Sequence, residues 1–140
     1  MSEDNVALVL RTFDAFRTGG FEAMLEFLSP DVIWHPIPGW IEDVEYRGHD
    51  GTRKMSDVFT DNFADLKLEP RDVRPAQDKV LALVEATGTT RHGGVPIEWK
   101  SAFVYSNFRE QKIGDVRFFL TWEEGIEALD AAKSTGAPAG

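Results

Sequence analysis

Val80–Phe108 reads VLALVEATGTTRHGGVPIEWKSAFVYSNF, and the period of this stretch decides the fold. Val80–Thr90 is rich in β-branched residues, while Ile97–Phe108 alternates Trp99, Ser101, Phe103 and Tyr105 with Glu98, Lys100, Ala102 and Val104. An extended chain sends successive side chains to opposite faces, so the second run predicts a strand with one aromatic face. Between the two runs lies RHGG (Arg91–Gly94), whose paired glycines can supply the positive φ of a tight reversal. Leu66, Leu68 and Val73 mark a strand before this hairpin. REQK (Arg109–Lys112) turns the chain into another, Ile113–Leu120. An antiparallel meander of four strands is expected.

On the N-terminal side the period is helical. Val6, Val9, Leu10, Phe13 and Phe16 share one stripe, between a Ser2 cap and a stop at Gly19-Gly20. Phe21, Met24, Leu25 and Leu28 repeat the stripe over a short second helix that Ser29-Pro30 ends. Val32–Ile37 then reads as a strand, followed by a loop through Trp40 to Glu45. YRGHDG (Tyr46–Gly51) opens a third helix with Met55, Val58, Phe59 and Phe63 on its inner face. Near the C-terminus, Thr121 and Glu124 form a capping box ahead of a short helix carrying Ile126 and Leu129. Residues 1–132 read as one domain and residues 133–140 as a frayed tail. Helices segregated from antiparallel strands give an α+β fold, with helices packed on one face of a curved sheet and a conical cavity between them.

Composition excludes several classes of function. The chain has 140 residues, enough for one domain with its own core. Its net charge of −9 lacks the basic surface of a nucleic-acid binder. Without cysteine, disulfides, thiolate chemistry and Cys-type zinc sites are ruled out. His35, His49 and His92 are scattered, with no metal-ligand spacing. No nucleotide fingerprint is present, so no cofactor is expected. No apolar run approaches the ~20 residues of a membrane span. The N-terminus is acidic where a signal peptide is basic. A soluble, cytoplasmic protein with no nucleic-acid or membrane partner is expected.

His35 is the leading candidate for chemistry. On a strand, Ile33, His35 and Ile37 share a face and Trp34 takes the other. An imidazole titrates near neutrality and can act as acid, base or donor. Two readings stand: a group facing the pocket, or a buried imidazole bonded to a backbone carbonyl. Tyr105, on the aromatic face, is placed to donate its hydroxyl to a ligand oxygen, although aromatics at this spacing also serve as plain core. Arg117 alternates with Val116 and Phe118, and arginine is rarely buried unpaired. It either holds an anionic or carbonyl group of a ligand or pairs with Glu85 or Asp57. Ile33, Trp40, Phe59, Trp99, Phe103 and Phe119 are the expected ligand-binding residues, with Trp40 and Tyr46 beside the loop over the cone's mouth.

The stretches FDAFRTGGFEAMLEFLSPDVIWHPIPG (Phe13–Gly39), YRGHDGTRKM (Tyr46–Met55) and QKIGDVRFFLTWEEGIEAL (Gln111–Leu129), in that order, resemble the SnoaL-like branch of the nuclear transport factor 2-like superfamily. The resemblance runs to about Ala132. It implies the cone-shaped α+β roll, a small hydrophobic ligand in the cone, and a homodimer through the outer face of the sheet. The superfamily includes polyketide cyclases, ketosteroid isomerases, epoxide hydrolases, dehydratases and transport factors. In the resemblance to ketosteroid isomerases, His35 takes the base aspartate's position, just before Pro36. Thr12 stands near their oxyanion-hole tyrosine, and Ala102 or Phe103 near their second hole residue. Thr121 stands where SnoaL-like cyclases often carry an acid, and Arg117 lacks the aspartate partner of the epoxide-hydrolase relay. The activity implied is cofactor-free proton transfer: isomerisation, aldol-type cyclisation or dehydration. His35 would shuttle the proton, with Tyr105 or Arg117 stabilising charge on oxygen. The alternatives are a carrier or sensor of such a molecule, and a dimeric interaction protein whose own aromatic side chains fill the cone.

Overall fold

A computed structural model describes residues 2–35 and 45–136 of the chain. Helix α1, Ser2–Met24, buries Leu8, Val9, Thr12 and Phe13 along one stripe. At Gly20 the backbone takes φ 71 and ψ −161, a left-handed excursion that glycine accepts without cost to a Cβ. The helix therefore kinks at the expected stop and resumes for one turn. A 3-10 turn, Leu25–Phe27, follows in place of the expected second helix, and strand β1 begins at Leu28, ahead of Pro30. The pairing of β1 shifts register between Leu28 and Ile33, so Pro30 sits in an irregularity where a missing N–H costs no ladder bond. Ile37, Pro38, Gly39 and Trp40 lie outside the described residues.

After β1 (Leu28–His35) come β2 (Tyr46–Arg47), helix α2 (Gly48–Asn62) and the long strands β3 (Phe63–Ala76), β4 (Lys79–Thr90), β5 (Pro96–Ser106) and β6 (Ile113–Phe119). The expected meander forms, with β3, β4, β5 and β6 paired antiparallel in sequence order. Strand β1 runs parallel to β6, and the complete sheet has the order β2-β1-β6-β5-β4-β3. The fold is α+β, a curved, open six-stranded sheet with helices packed on it.

Both faces of the central strands are covered. On the inner face, Val80, Ala82, Val84, Phe103, Tyr105, Val116 and Phe118 join the buried residues of α1 and α2 in the main core. The outer face carries Leu81, Leu83, Ala102 and Val104 under helix α3 (Trp122–Gly136), whose Ile126 and Leu129 close a second cluster. Not all helices lie on one face as the sequence suggested: α3 takes the opposite side. Fully burying a leucine such as Leu81 stabilises by about 1.5–3 kcal/mol, so this outer cluster is a substantial part of the fold. Among the described residues, no helix is long and apolar enough to cross a membrane.

Candidate functional site

A cavity of about 50 Å³ lies between α1, α2 and the inner face of the sheet. Trp34, Phe103 and Phe118 line its sheet side, Thr12 and Phe13 its helix side, and Phe16, Phe21, Phe59, Leu66 and Trp99 its mouth. The rings interlock. Phe13 stacks on Phe103 at 6.1 Å between centroids, Phe103 meets Phe118 at 4.7 Å, and Phe21 stacks on Phe59 at 5.8 Å. A second concavity of about 330 Å³ shares Phe16, Phe21, Phe59 and Leu66 with the cavity and opens beside Gly19, Gly20 and Arg91.

The polar groups of the cavity are few and partnered. Thr12 Oγ1 donates to the carbonyl of Val9 at 2.6 Å. The same hydroxyl lies against the Tyr105 phenol, a contact that acts to lower the phenol's pKa. Burial pushes the Tyr105 phenol well above the usual tyrosine range, and the bond to Thr12 offsets this only in part. Tyr105 is therefore neutral, and its oxygen keeps lone pairs to accept a hydrogen bond. Ser101 Oγ donates to the Phe119 carbonyl at 3.1 Å. Trp34 Nε1 donates to Thr52 Oγ1 at 2.8 Å, and Thr52 in turn donates to the carbonyl of Gly48 at 2.9 Å. Among the described lining residues, Tyr105 is the one titratable side chain.

Of the residues singled out in the sequence, the structure brings Tyr105, Phe59, Trp99 and Phe103 together around the cavity. It sets His35, Ile33, Arg117 and Phe119 elsewhere. The pleat of β1 has the opposite phase to the one expected: Val32 and Trp34 face inward and are buried, which turns Ile33 and His35 to the outer side. The indole permits this phase because Thr52 satisfies its N–H. On the outer side, His35 Nε2 lies 2.8 Å from Asp115 Oδ2 and Nδ1 lies 3.1 Å from Glu45 Oε2. Its partners are therefore carboxylates, not a backbone carbonyl. Arg117 lies beside His35 in the β1–β6 register, exposed on the outer face. Its suggested partner Glu85 is taken by Arg71 at 2.9 Å. Phe119 packs against the cluster beneath α3. Trp40 lies outside the described residues.

Trp34 was missed as a lining residue by the sequence reading, and Thr12 was noted only through the resemblance, near the tyrosine position of ketosteroid isomerases. Thr12 left a trace, as a polar residue three positions from Val9 on an apolar stripe. Trp34 left none, because either phase of Val32–Ile37 puts apolar residues inward. No group of three or more His, Asp or Glu side chains among the described residues is arranged to hold a metal ion.

Comparison with known proteins follows the same lines. The profile of the SnoaL-like domain matches residues 9–116. No curated protein matches the sequence. Among solved structures, an NTF2-like protein of unknown function from Burkholderia pseudomallei K96243 superposes with a TM-score of 0.75 at 20% identity, covering 92% of this chain and 98% of that one. A protein provisionally described as a SnoaL-like polyketide cyclase, from Jannaschia sp. CCS1, gives 0.73 at 17% identity, covering 99% and 95%. TerC, co-crystallised with polyporic acid, gives 0.72 at 20% identity, covering 91% and 98%. At these identities the likeness is one of fold.

Proposed function

The chain belongs to the SnoaL-like domain family, and from that premise we propose that it binds one compact, largely apolar molecule in the cavity between its helices and sheet. The observation that carries this reading is the lining itself: aromatic rings surround a single buried phenol whose oxygen can accept one hydrogen bond. The preferred guest is flat, and carries a hydroxyl that donates to Tyr105.

Size adds a condition. A cavity of about 150 Å³ is what holds a benzene ring, and the space here is about 50 Å³. A guest of that size or larger must displace rings at the mouth. Phe16, Phe21 and Phe59 are half-buried and border the outer concavity, so they are the rings that would give way. Binding is then coupled to opening of the mouth, with Gly20 as the flexible point of α1.

Proton transfer by His35 has no part in this reading, because the imidazole lies across the sheet from the cavity, between Asp115 and Glu45. A neutral phenol supplies a hydrogen bond and no base. The reading is therefore of a carrier or sensor.

Tryptophan fluorescence tests it directly, since Trp34 and Trp99 both line the cavity. The wild type and Tyr105→Phe would be titrated with polyporic acid, which co-crystallised with TerC, and with representative steroids, aromatic polyketides and quinones. Saturable quenching by one class, weakened by roughly tenfold in Tyr105→Phe for loss of one buried hydrogen bond, supports the proposal. If no class quenches, and no compound raises the melting temperature, the rings are plain core and the binding role falls.

A further inference from the structure

On the opposite side of the sheet, a hollow of about 330 Å³ lies between β4, β5, β6 and α3, lined by Lys79, Val104, Ser106, Asp115, Arg117, Phe119 and Ala128. Strand register assembles it. Ser106 stands opposite Asp115 and Val104 opposite Arg117, while the Val80–Tyr105 pair sets Lys79 against Ser106. Two cations and a hydroxyl thus share one concave surface of a chain whose net charge is −9.

Two nearby carboxylates, Asp115 and Glu45, are already engaged. Asp115 is held by His35 Nε2 at 2.8 Å, and Glu45 bridges His35 Nδ1 at 3.1 Å and Arg47 at 2.8 Å. Arg17, Arg47, Arg53, Arg71, Arg74 and Arg109 each pair with an acid. Neither Arg117 nor Lys79 makes an ion pair among the described residues. A guanidinium left without a carboxylate in a concave site retains a planar fork of donors, whose geometry matches the paired oxygens of a carboxylate or phosphate. Phe119, Val104 and Ala128 give the hollow an apolar wall, which bare inorganic ions would not use.

We propose that this outer hollow is a second binding site, for a small organic anion. Arg117 grips its terminal oxygens, Lys79 adds a second positive charge, Ser106 donates its hydroxyl, and the apolar wall covers the rest of the molecule. The site is separate from the inner cavity, from which the sheet divides it, and it stands whether or not that cavity is occupied.

The test is a backbone amide NMR titration of the full chain, with benzoate and separately with inorganic phosphate, at ionic strength held constant with sodium chloride. The expected result is a saturable shift of the Val104, Ser106, Arg117 and Phe119 amides with at least one probe. The probe that binds identifies the head group as carboxylate or phosphate. Binding should weaken by roughly tenfold or more in Lys79→Gln/Arg117→Gln, as expected for loss of charge-assisted hydrogen bonds. Arg117→Lys, which keeps the charge but loses the fork, should weaken it by a smaller factor and guards against a double variant that fails to fold. Absence of saturable shifts at these amides with both probes overturns the proposal. So does undiminished binding in either variant, and so do shifts confined to Phe59 and Trp99, which would report a guest in the inner cavity alone.

Discussion

Replacing Gly125 with alanine should destabilise the protein although alanine is the better helix former. Gly125 is buried near the start of α3, where the helix lies on the outer face of the sheet. A Cβ built there would sit 2.4 Å from the Ala102 Cβ and 3.2 Å from Leu81 Cδ1. Leu81 can turn its side-chain tip aside. Ala102 cannot, since it is a methyl fixed to a strand paired on both sides, to Leu83 and to Phe119. Overpacking costs about 1–3 kcal/mol, and a clash this close with an immobile methyl belongs in the upper part of that range, about 2–3 kcal/mol, against a gain in helix propensity of about 1 kcal/mol. The net loss should be about 1–2 kcal/mol. A domain of 140 residues has a melting entropy of about 0.3 kcal/mol/K, so the midpoint should fall by roughly 3–7 °C. Differential scanning calorimetry of wild type and Gly125→Ala measures this. The pair Gly125→Ala/Ala102→Gly should recover most of the loss relative to Ala102→Gly alone. A midpoint for Gly125→Ala at or above wild type would refute the packing argument, and with it the claim that α3 seats directly on β5.

Three further outcomes are expected. The raised Tyr105 pKa means that its neutral form stabilises the fold below the unfolded value of about 10, and that this contribution is lost as pH rises further. The wild-type melting temperature should therefore drop more steeply than that of Tyr105→Phe above about pH 10, and parallel curves would count against a buried phenol. Trp34→Phe removes the indole donor to Thr52 and leaves a void beside the cavity. It should cost about 2–3 kcal/mol by urea denaturation, while small aromatic guests bind more tightly in the enlarged space. His35→Ala should leave the affinity of any cavity guest unchanged, because its partners lie on the outer face; a changed affinity by fluorescence titration would mean that the imidazole reaches the interior.

The meander was legible because its signal is redundant: β5 has one aromatic face and one charged or small face, and that contrast fixes both strand and phase. Strand β1 offered no such contrast. Val32, Ile33, Trp34 and Ile37 are apolar in both phases, so the decision rested on His35 and Trp34, and each of these is satisfied by a residue far off in the chain. Thr52 and Asp115 are those partners, 18 and 80 positions away. A local reading cannot weigh an indole against an imidazole when their hydrogen bonds are closed by tertiary structure. Gly19-Gly20 misled in a related way. Two glycines allow a helix to stop, and they equally allow a kink when Phe21 and Met24 beyond them have an apolar surface to join. The outer hollow was legible only in part. Arg117 was marked as an unusual residue, but its neighbours Lys79 and Ser106 come from other strands, and register alone unites them.

The parallel pairing of β1 with β6 sets an order of events during synthesis. Leu28–His35 leaves the ribosome early, yet apart from the two residues of β2 its neighbour in the sheet is a strand ending at Phe119. The hairpins joining β3, β4 and β5 close over short loops and can form as they emerge. Strand β1 must wait for that neighbour, one of its edges unpaired, until β6 has been made. A nascent chain arrested before β6 would therefore carry β3, β4 and β5 already paired, beside a β1 that still lacks its main partner in the sheet.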